Sequence, residues 1–352
     1  MERNSGSFAV LPIVVLFLLS AWSTGCERRE TPLVVYVSAD EYVARPILDS
    51  FSRQSGIPVH MVGDTEATKT TGLVERLRAE RQSPLADVFW SSEAFMTIQL
   101  AREDLLQPFQ SEAVDDWFPR WRDPDGRWFG FSPRPRVLVY DPEQVDAGDV
   151  PTSLAALSDP RWRGQIAMAD PRFGTTGGHL AALRAWYDDR DDAAGYASLL
   201  DGLSANGVRV LPGGNAAVVE EVRVGRALVG LTDADDVRAA NRLGAQLEMH
   251  AVGPVDGVGT FMMPNTVALV SGSSHPRAGE LVDFLLSADV ARALAESVSG
   301  NVPLVPEVAD DFPQLQVPDP MPVDLEQVAS IYPMAVNQAV TALKESQADA
   351  AP

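Results

Sequence analysis

Short apolar, β-branched runs that each end in hydroxyl and carboxylate residues, with helical sequence after every one, restrict this chain to a sheet wrapped by helices. Residues 33–38 form the first run. It ends in Ser38-Ala39-Asp40-Glu41 and leads into helical sequence from about 42 to 55, with Gly56 at the C-cap position and Pro58 just beyond. Residues 57–62 form the second run, ending in Gly63-Asp64-Thr65-Glu66 before a helical stretch over 70–82. Residues 86–90 form the third, ending in Ser91-Ser92-Glu93. Strand–helix alternation of this kind predicts a parallel sheet flanked by helices. Doubly wound sheets bring such strand ends to one edge, where ligands bind, so Asp40, Glu66 and Glu93 are expected together with Ser38 near them. Any one of these acids is equally suited to capping the helix that follows it.

The second half repeats the pattern. In 131–141, "FSPRPRVLVYD", Pro133 and Pro135 make a stiff, extended segment ahead of an apolar strand, which predicts a crossover between two lobes. Arg134 and Arg136 there can pair with a bound anion or with acids of the lobes. A strand over 164–169 precedes Gly174-Thr175-Thr176-Gly177 at the start of a long helix. Backbone N–H groups and hydroxyls at the positive end of a helix dipole suit an anion, and plain capping competes with that reading. The Gly-Lys-Ser/Thr ending of a P-loop is missing. Residues 229–236, "VGLTDADD", then place Asp233, Asp235 and Asp236 at the end of a buried strand. Three carboxylates so close repel one another unless a cation, an amine or a donor group neutralises them. The competing reading is a solvated acidic turn before a helix that starts near 237. An apolar strand within 259–276 crosses back, two helices follow, and a proline-rich tail carries one more helix, near 324–345, expected on the first lobe.

With 352 residues, 45% of them hydrophobic, the chain has material for one large or two medium domains. A net charge of −21 argues against nucleic acid or an anionic membrane surface as partner. A single cysteine rules out an internal disulfide and a Cys-based zinc site. Residues 1–25 read as a secretory signal: Arg3, an apolar run over 8–22, then Ser23-Thr24-Gly25 before Cys26. Small residues ahead of a lone cysteine resemble the bacterial lipoprotein cleavage box, which makes Cys26 a lipidation site and 26–32 a tether. The histidines at 60, 179, 250 and 275 form no His-x-x-x-His pair, and nucleophile-elbow and dinucleotide motifs are lacking. Binding is therefore expected in place of catalysis.

Taken together, "LVVYVSADE", "SPLADVFWSSEA", "RDPDGRWFGFSPRPRVLVYDPEQV", "DPRWRGQIAMADP", "VGRALVGLTDADD" and "NTVALVSGSSHPRAGELVDFLLS" resemble bacterial extracellular solute-binding proteins of ABC importers, over roughly residues 33–300. Within that group the chain is similar to the ferric-iron-binding branch. The resemblance implies an α/β, two-lobed type II periplasmic-binding-protein fold, with 33–132 plus 262–352 in one lobe and 133–261 in the other. It implies an exported, lipid-anchored monomer that hands a small ligand to a membrane permease and its ATPase, with no permanently bound cofactor. Ferric-binding relatives hold iron with two adjacent tyrosines, a histidine or acid, and a glutamate. Here Asp235 and Asp236 stand at the tyrosine positions, Asp40 at the first-strand position and Glu66 at the glutamate. An all-carboxylate set suits iron or another hard cation. Ser38, Glu93, Asp233, Arg134, Arg136, Gly174, Thr175 and Thr176 would complete the site, the last three and the arginines seating a bridging anion. The same acids would also grip the amine of a cationic or zwitterionic solute such as a polyamine or aminophosphonate. A carboxylate-based hydrolase and a sensory lipoprotein without transport are the remaining alternatives.

Overall fold

The computed structural model describes Met1 and residues 31–64, 70–114, 117, 119–251 and 257–349, with side chains of the last helix to Leu343. β1 (Leu33–Val37) runs into α1 (Glu41–Ser55), which stops at Gly56 because that residue turns left-handed, φ 75°, and donates its N–H to Ser52 O. β2 (Val59–Gly63), α2 (Thr71–Ala79), β3 (Val88–Ser91), α3 (Phe95–Arg102), β4 (Leu106–Gln107) and β5 (Phe129–Tyr140) follow. The second series is β6 (Ile166–Ala169), α4 (Gly174–Asp188), α5 (Ala193–Ala205), β7 (Arg209–Leu211), α6 (Gly214–Arg223), β8 (Val229–Asp233), α7 (Ala234–Arg242) and β9 (Glu248–Ala251). β10 (Met262–Val270), α8 (Ala278–Leu285), α9 (Ala288–Glu296), α10 (Pro306–Ala309) and α11 (Leu325–Asp349) complete the chain.

Among the described residues the strands form one mixed sheet in the order β2-β1-β3-β10-β5-β8-β6-β7, with β4 beside β10 and β9 beside β5. β1 is parallel to β2 and β3, and β6 is parallel to β7 and β8. The long antiparallel strands β10 and β5 stand between these two parallel groups. Strand–helix alternation thus delivers the two parallel groups it predicts, one on each side of the crossovers.

β5 is one continuous strand, although its prolines read as a stiff segment ahead of a strand. Pro133 and Pro135 have no N–H to give, so the ladder to β10 is broken there and its register shifts between Met263 and Asn265. Ser132 sits at φ 41°, and its carbonyl accepts the side-chain amides of Asn265 and Asn301 at 2.9 and 3.0 Å. Past this break, residues 136–140 of β5 leave β10 and pair with β8 and β9. Successive β5 residues face opposite sides of the sheet. Leu138 and Tyr140 join the large apolar core, while Val137 and Val139 join a smaller one with Val218, Val222 and Val237.

α7 begins at Ala234, three residues earlier than its sequence predicts, which puts Asp235 and Asp236 in its first turn, where the helix dipole favours anions. α11 also departs from expectation. The sequence places it on the first lobe, whereas it spans the two halves: Glu326 bonds Arg102 of α3, and Gln338 and Ala342 O accept from Arg184 of α4 and Ser204 of α5. Apolar residues on α11 such as Val328, Tyr332, Ala335 and Ala339 are buried by that position. No helix among the described residues is long and apolar enough to cross a membrane.

Candidate functional site

The carboxyl ends of β1, β3, β6 and β8 meet around a cavity of about 70 Å³. Asp40 and Ser92 line it from one parallel group, and Gly174, Thr175, Asn215, Asp235 and Asp236 from the other, with Arg134 of the crossover between them. The last three acids of "VGLTDADD" converge here: one carboxylate oxygen from each of Asp233, Asp235 and Asp236 lies within 4.8 Å of the others. Two unit charges at that distance repel by roughly 3 kcal/mol at an effective dielectric near 20, so the triad needs compensation.

Two arginines supply part of it. Arg136 and Asp233 are register partners on β5 and β8, and Arg136 Nη1 donates to Asp233 Oδ1 at 2.6 Å with both side chains buried. Thr175 Oγ1 and Asn215 Nδ2 donate to the other oxygen at 2.7 and 3.0 Å. Burial pushes the Asp233 carboxyl up, but Arg136, Arg134 and these donors outweigh it and hold the group below the ordinary carboxylate range. Arg134 Nε lies 3.2 Å from Asp235 and 3.7 Å from Asp233, and its Nη2 donates to Ser92 O at 2.6 Å. Counting Asp40, four carboxylates gather here with the guanidiniums of Arg134 and Arg136, and Arg238 on α7 is within electrostatic reach of Asp235.

The expected site residues divide accordingly. Asp40, Asp235, Asp236, Arg134, Gly174 and Thr175 line the cavity, as does Asp233, whose oxygens are already engaged. Arg136 is fully buried and committed to Asp233, Thr175 and Thr176, so it does not face a ligand. Thr176 is buried behind the cavity as an acceptor for Arg136. Ser38 is a fastening: its Oγ accepts from Ser92 N–H at 2.8 Å and from Thr70 Oγ1 at 2.9 Å. Glu93 turns inward and caps α3, accepting from Phe95 and Met96 N–H at 2.8 and 2.9 Å. Burial pushes its carboxyl up to about 7 against those bonds and Arg134. Glu66 and Cys26 lie outside the described residues.

Two features escape the sequence. Tyr42, half-exposed on the first turn of α1, donates to Asp40 at 3.3 Å. Burial first, and then Asp40, Asp235 and Asp236, hold its phenol protonated well above the usual range. Its position two residues after Asp40 was the only available signal. The paired glycines of α4 act mainly by size: a Cβ on Gly178 would lie 2.5 Å from Met263 Cε and Phe95 Cε2, so α4 presses directly onto β10 and α3. His179 next to them is buried, stacked 5.6 Å from Phe261, and burial with help from Arg136 keeps it neutral.

The family model for bacterial extracellular solute-binding protein matches residues 83–320. The chain belongs to that family. This solute-binding protein is 27% identical over 306 residues to Iron uptake protein A1 of Synechocystis, covering 80% of this chain and 79% of that one. It is 25% identical over 301 residues to the Major ferric iron-binding protein of Neisseria meningitidis, covering 84% and 87%. Iron-bound HitA from Pseudomonas aeruginosa superposes with a TM-score of 0.73 at 22% identity, over 88% of this chain and 99% of HitA. The fold is the two-lobed type II periplasmic binding protein, and the family binds solutes and performs no catalysis.

Proposed function

We propose that this solute-binding protein captures ferric iron, or another hard metal ion, between its lobes and delivers it to the permease and ATPase of an ABC importer. The observation that carries the reading is the carboxylate triad, within 4.8 Å, beside a cavity of about 70 Å³. A hard cation prefers oxygen donors, and such a volume has room for an ion with one or two small co-ligands. Asp40, Asp235 and Asp236 are the proposed donors, joined by Glu66. Asp233, already held by Arg136, acts on Asp235 through the shared Arg134 in place of binding directly. Arg134 with the N–H groups of Gly174 and Thr175 is the proposed seat of a bridging anion. The names of the relatives point the same way. An amine-bearing organic ligand is less well served, because Phe173 is the one aromatic residue in the described lining. Lobes of 33–132 with 262–352 and of 133–261, with α11 reaching from the first across to the second and the hinge where β5 and β10 cross, are part of the proposal. So are export, lipidation at Cys26 and a monomeric state.

The test is a thermal-shift series on detergent-solubilised full chain with Fe(III)-citrate, divalent metals, amines and aminophosphonates. Iron at 100 times its dissociation constant should add about 2.7 kcal/mol of stability, and the shift should vanish on chelation. Asp235→Asn combined with Asp236→Asn should abolish it while leaving unfolding of the metal-free protein within a few degrees of wild type. Unchanged iron affinity in that double variant removes the site assignment, and a shift with an amine alone replaces the ligand.

A further inference from the structure

Arg238 lies half a turn to a turn beyond Asp235 and Asp236 on α7, and it reaches out of its own half of the sheet. Its Nη1 donates to Ser299 O at 3.1 Å and to Gly300 O at 2.7 Å. Those carbonyls belong to the turn after α9, whose residues Ser299 and Asn301 line the cavity across from α7. The turn is tied to the crossover and not to α7's side: Val302 N–H donates to Pro133 O at 2.9 Å, and Asn301 Nδ2 donates to Ser132 O at 3.0 Å. Gly300 has φ 55°, and a Cβ there would stand 3.0 Å from Arg238 Cδ, so the arginine stem lies directly over the glycine.

We propose that Arg238 is a positioning residue that clasps the two lobes over the cavity and sets how slowly the bound ion leaves. Hinge opening at the crossovers separates α7 from the 299–301 turn, so both charge-assisted bonds exist only in the closed form. Bonds that must break before the lobes part slow departure of the ion. Asp235 stands within electrostatic reach of the same guanidinium. The rate of ligand loss rests on the iron reading above; the clasp itself does not.

The test uses the full chain as wild type, Arg238→Gln and Arg238→Lys. Dissociation of Fe(III) into excess chelator is followed by stopped flow, and the radius of gyration of metal-free protein is measured by small-angle scattering. Losing the clasp should speed dissociation by roughly tenfold or more. It should also enlarge the metal-free radius, with Arg238→Lys, a single donor head on a shorter fork, falling between. Folded Arg238→Gln with wild-type dissociation and radius overturns the proposal. If that variant does not fold, wild-type values in Arg238→Lys overturn it. A wild-type protein that takes no iron sinks the functional reading, and the scattering comparison still decides the clasp.

Discussion

Asp233 and Arg136 are the charged pair in a β5–β8 register whose pairs are all buried, and that changes what each can do. A buried pair is costly to break from one side, because the remaining charge has no partner. Asp233→Asn is therefore expected to destabilise the fold by about 3–5 kcal/mol, lowering the melting temperature by roughly 10 °C in a thermal scan followed by circular dichroism. A loss under about 2 °C would show that Thr175 and Asn215 suffice to hold Arg136 in place. The pH dependence follows from the depressed carboxyl of Asp233. Its contribution is complete above the unfolded carboxylate value near 4 and disappears only as pH falls through the lower folded value. The clustering of Asp233, Asp235 and Asp236 is legible in eight consecutive letters. Which of the three turns into the sheet is not, since that depends on pairing with a strand almost a hundred residues away.

At the scale of elements, the strands and helices of both parallel groups are readable because their apolar runs and caps are local. β5 and α11 are less so. The break in β5 needs Asn265 and Asn301 to reward the unusual backbone at Ser132, and the path of α11 needs both α3 and α4 beneath it. Glu93 illustrates the ambiguity of an acid at a strand end: the same letter serves a ligand or a helix, and here it serves the start of α3. Its carboxyl, pushed by burial to about 7, carries a prediction. The native state keeps the proton while the unfolded chain has lost it, so stability falls as pH rises from about 4.5 to 7, by about 3 kcal/mol at most. Glu93→Gln, which still accepts from one backbone N–H, should flatten that slope in urea titrations at pH 5 and pH 7.5. An unchanged slope would place the proton elsewhere.

The whole molecule joins the two edges that line the cavity through a shared interior. The large apolar core runs without interruption from Leu33 and Phe89 on one side, through Phe95, Phe261 and Leu180, to Ile166 and Leu200 on the other. Gly178 against Phe95 and Met263, and α11 across α3, α4 and α5, add contacts that neither half makes alone. Hinge closure in such a frame bends the crossovers without dividing the core. The two lobes should therefore melt as one unit even though they open as two. Near-ultraviolet and far-ultraviolet circular dichroism are expected to report a single transition with coincident midpoints, and saturating iron should move both by the same amount. Two separated midpoints, only one of them shifted by iron, would mean that the halves unfold independently and that one lobe holds the ion. A joint shift is what one cooperative unit gives whichever side holds the ion, so it is the loss of that shift in Asp40→Asn as well as in the paired Asp235 and Asp236 variant that would tie both edges to one cation.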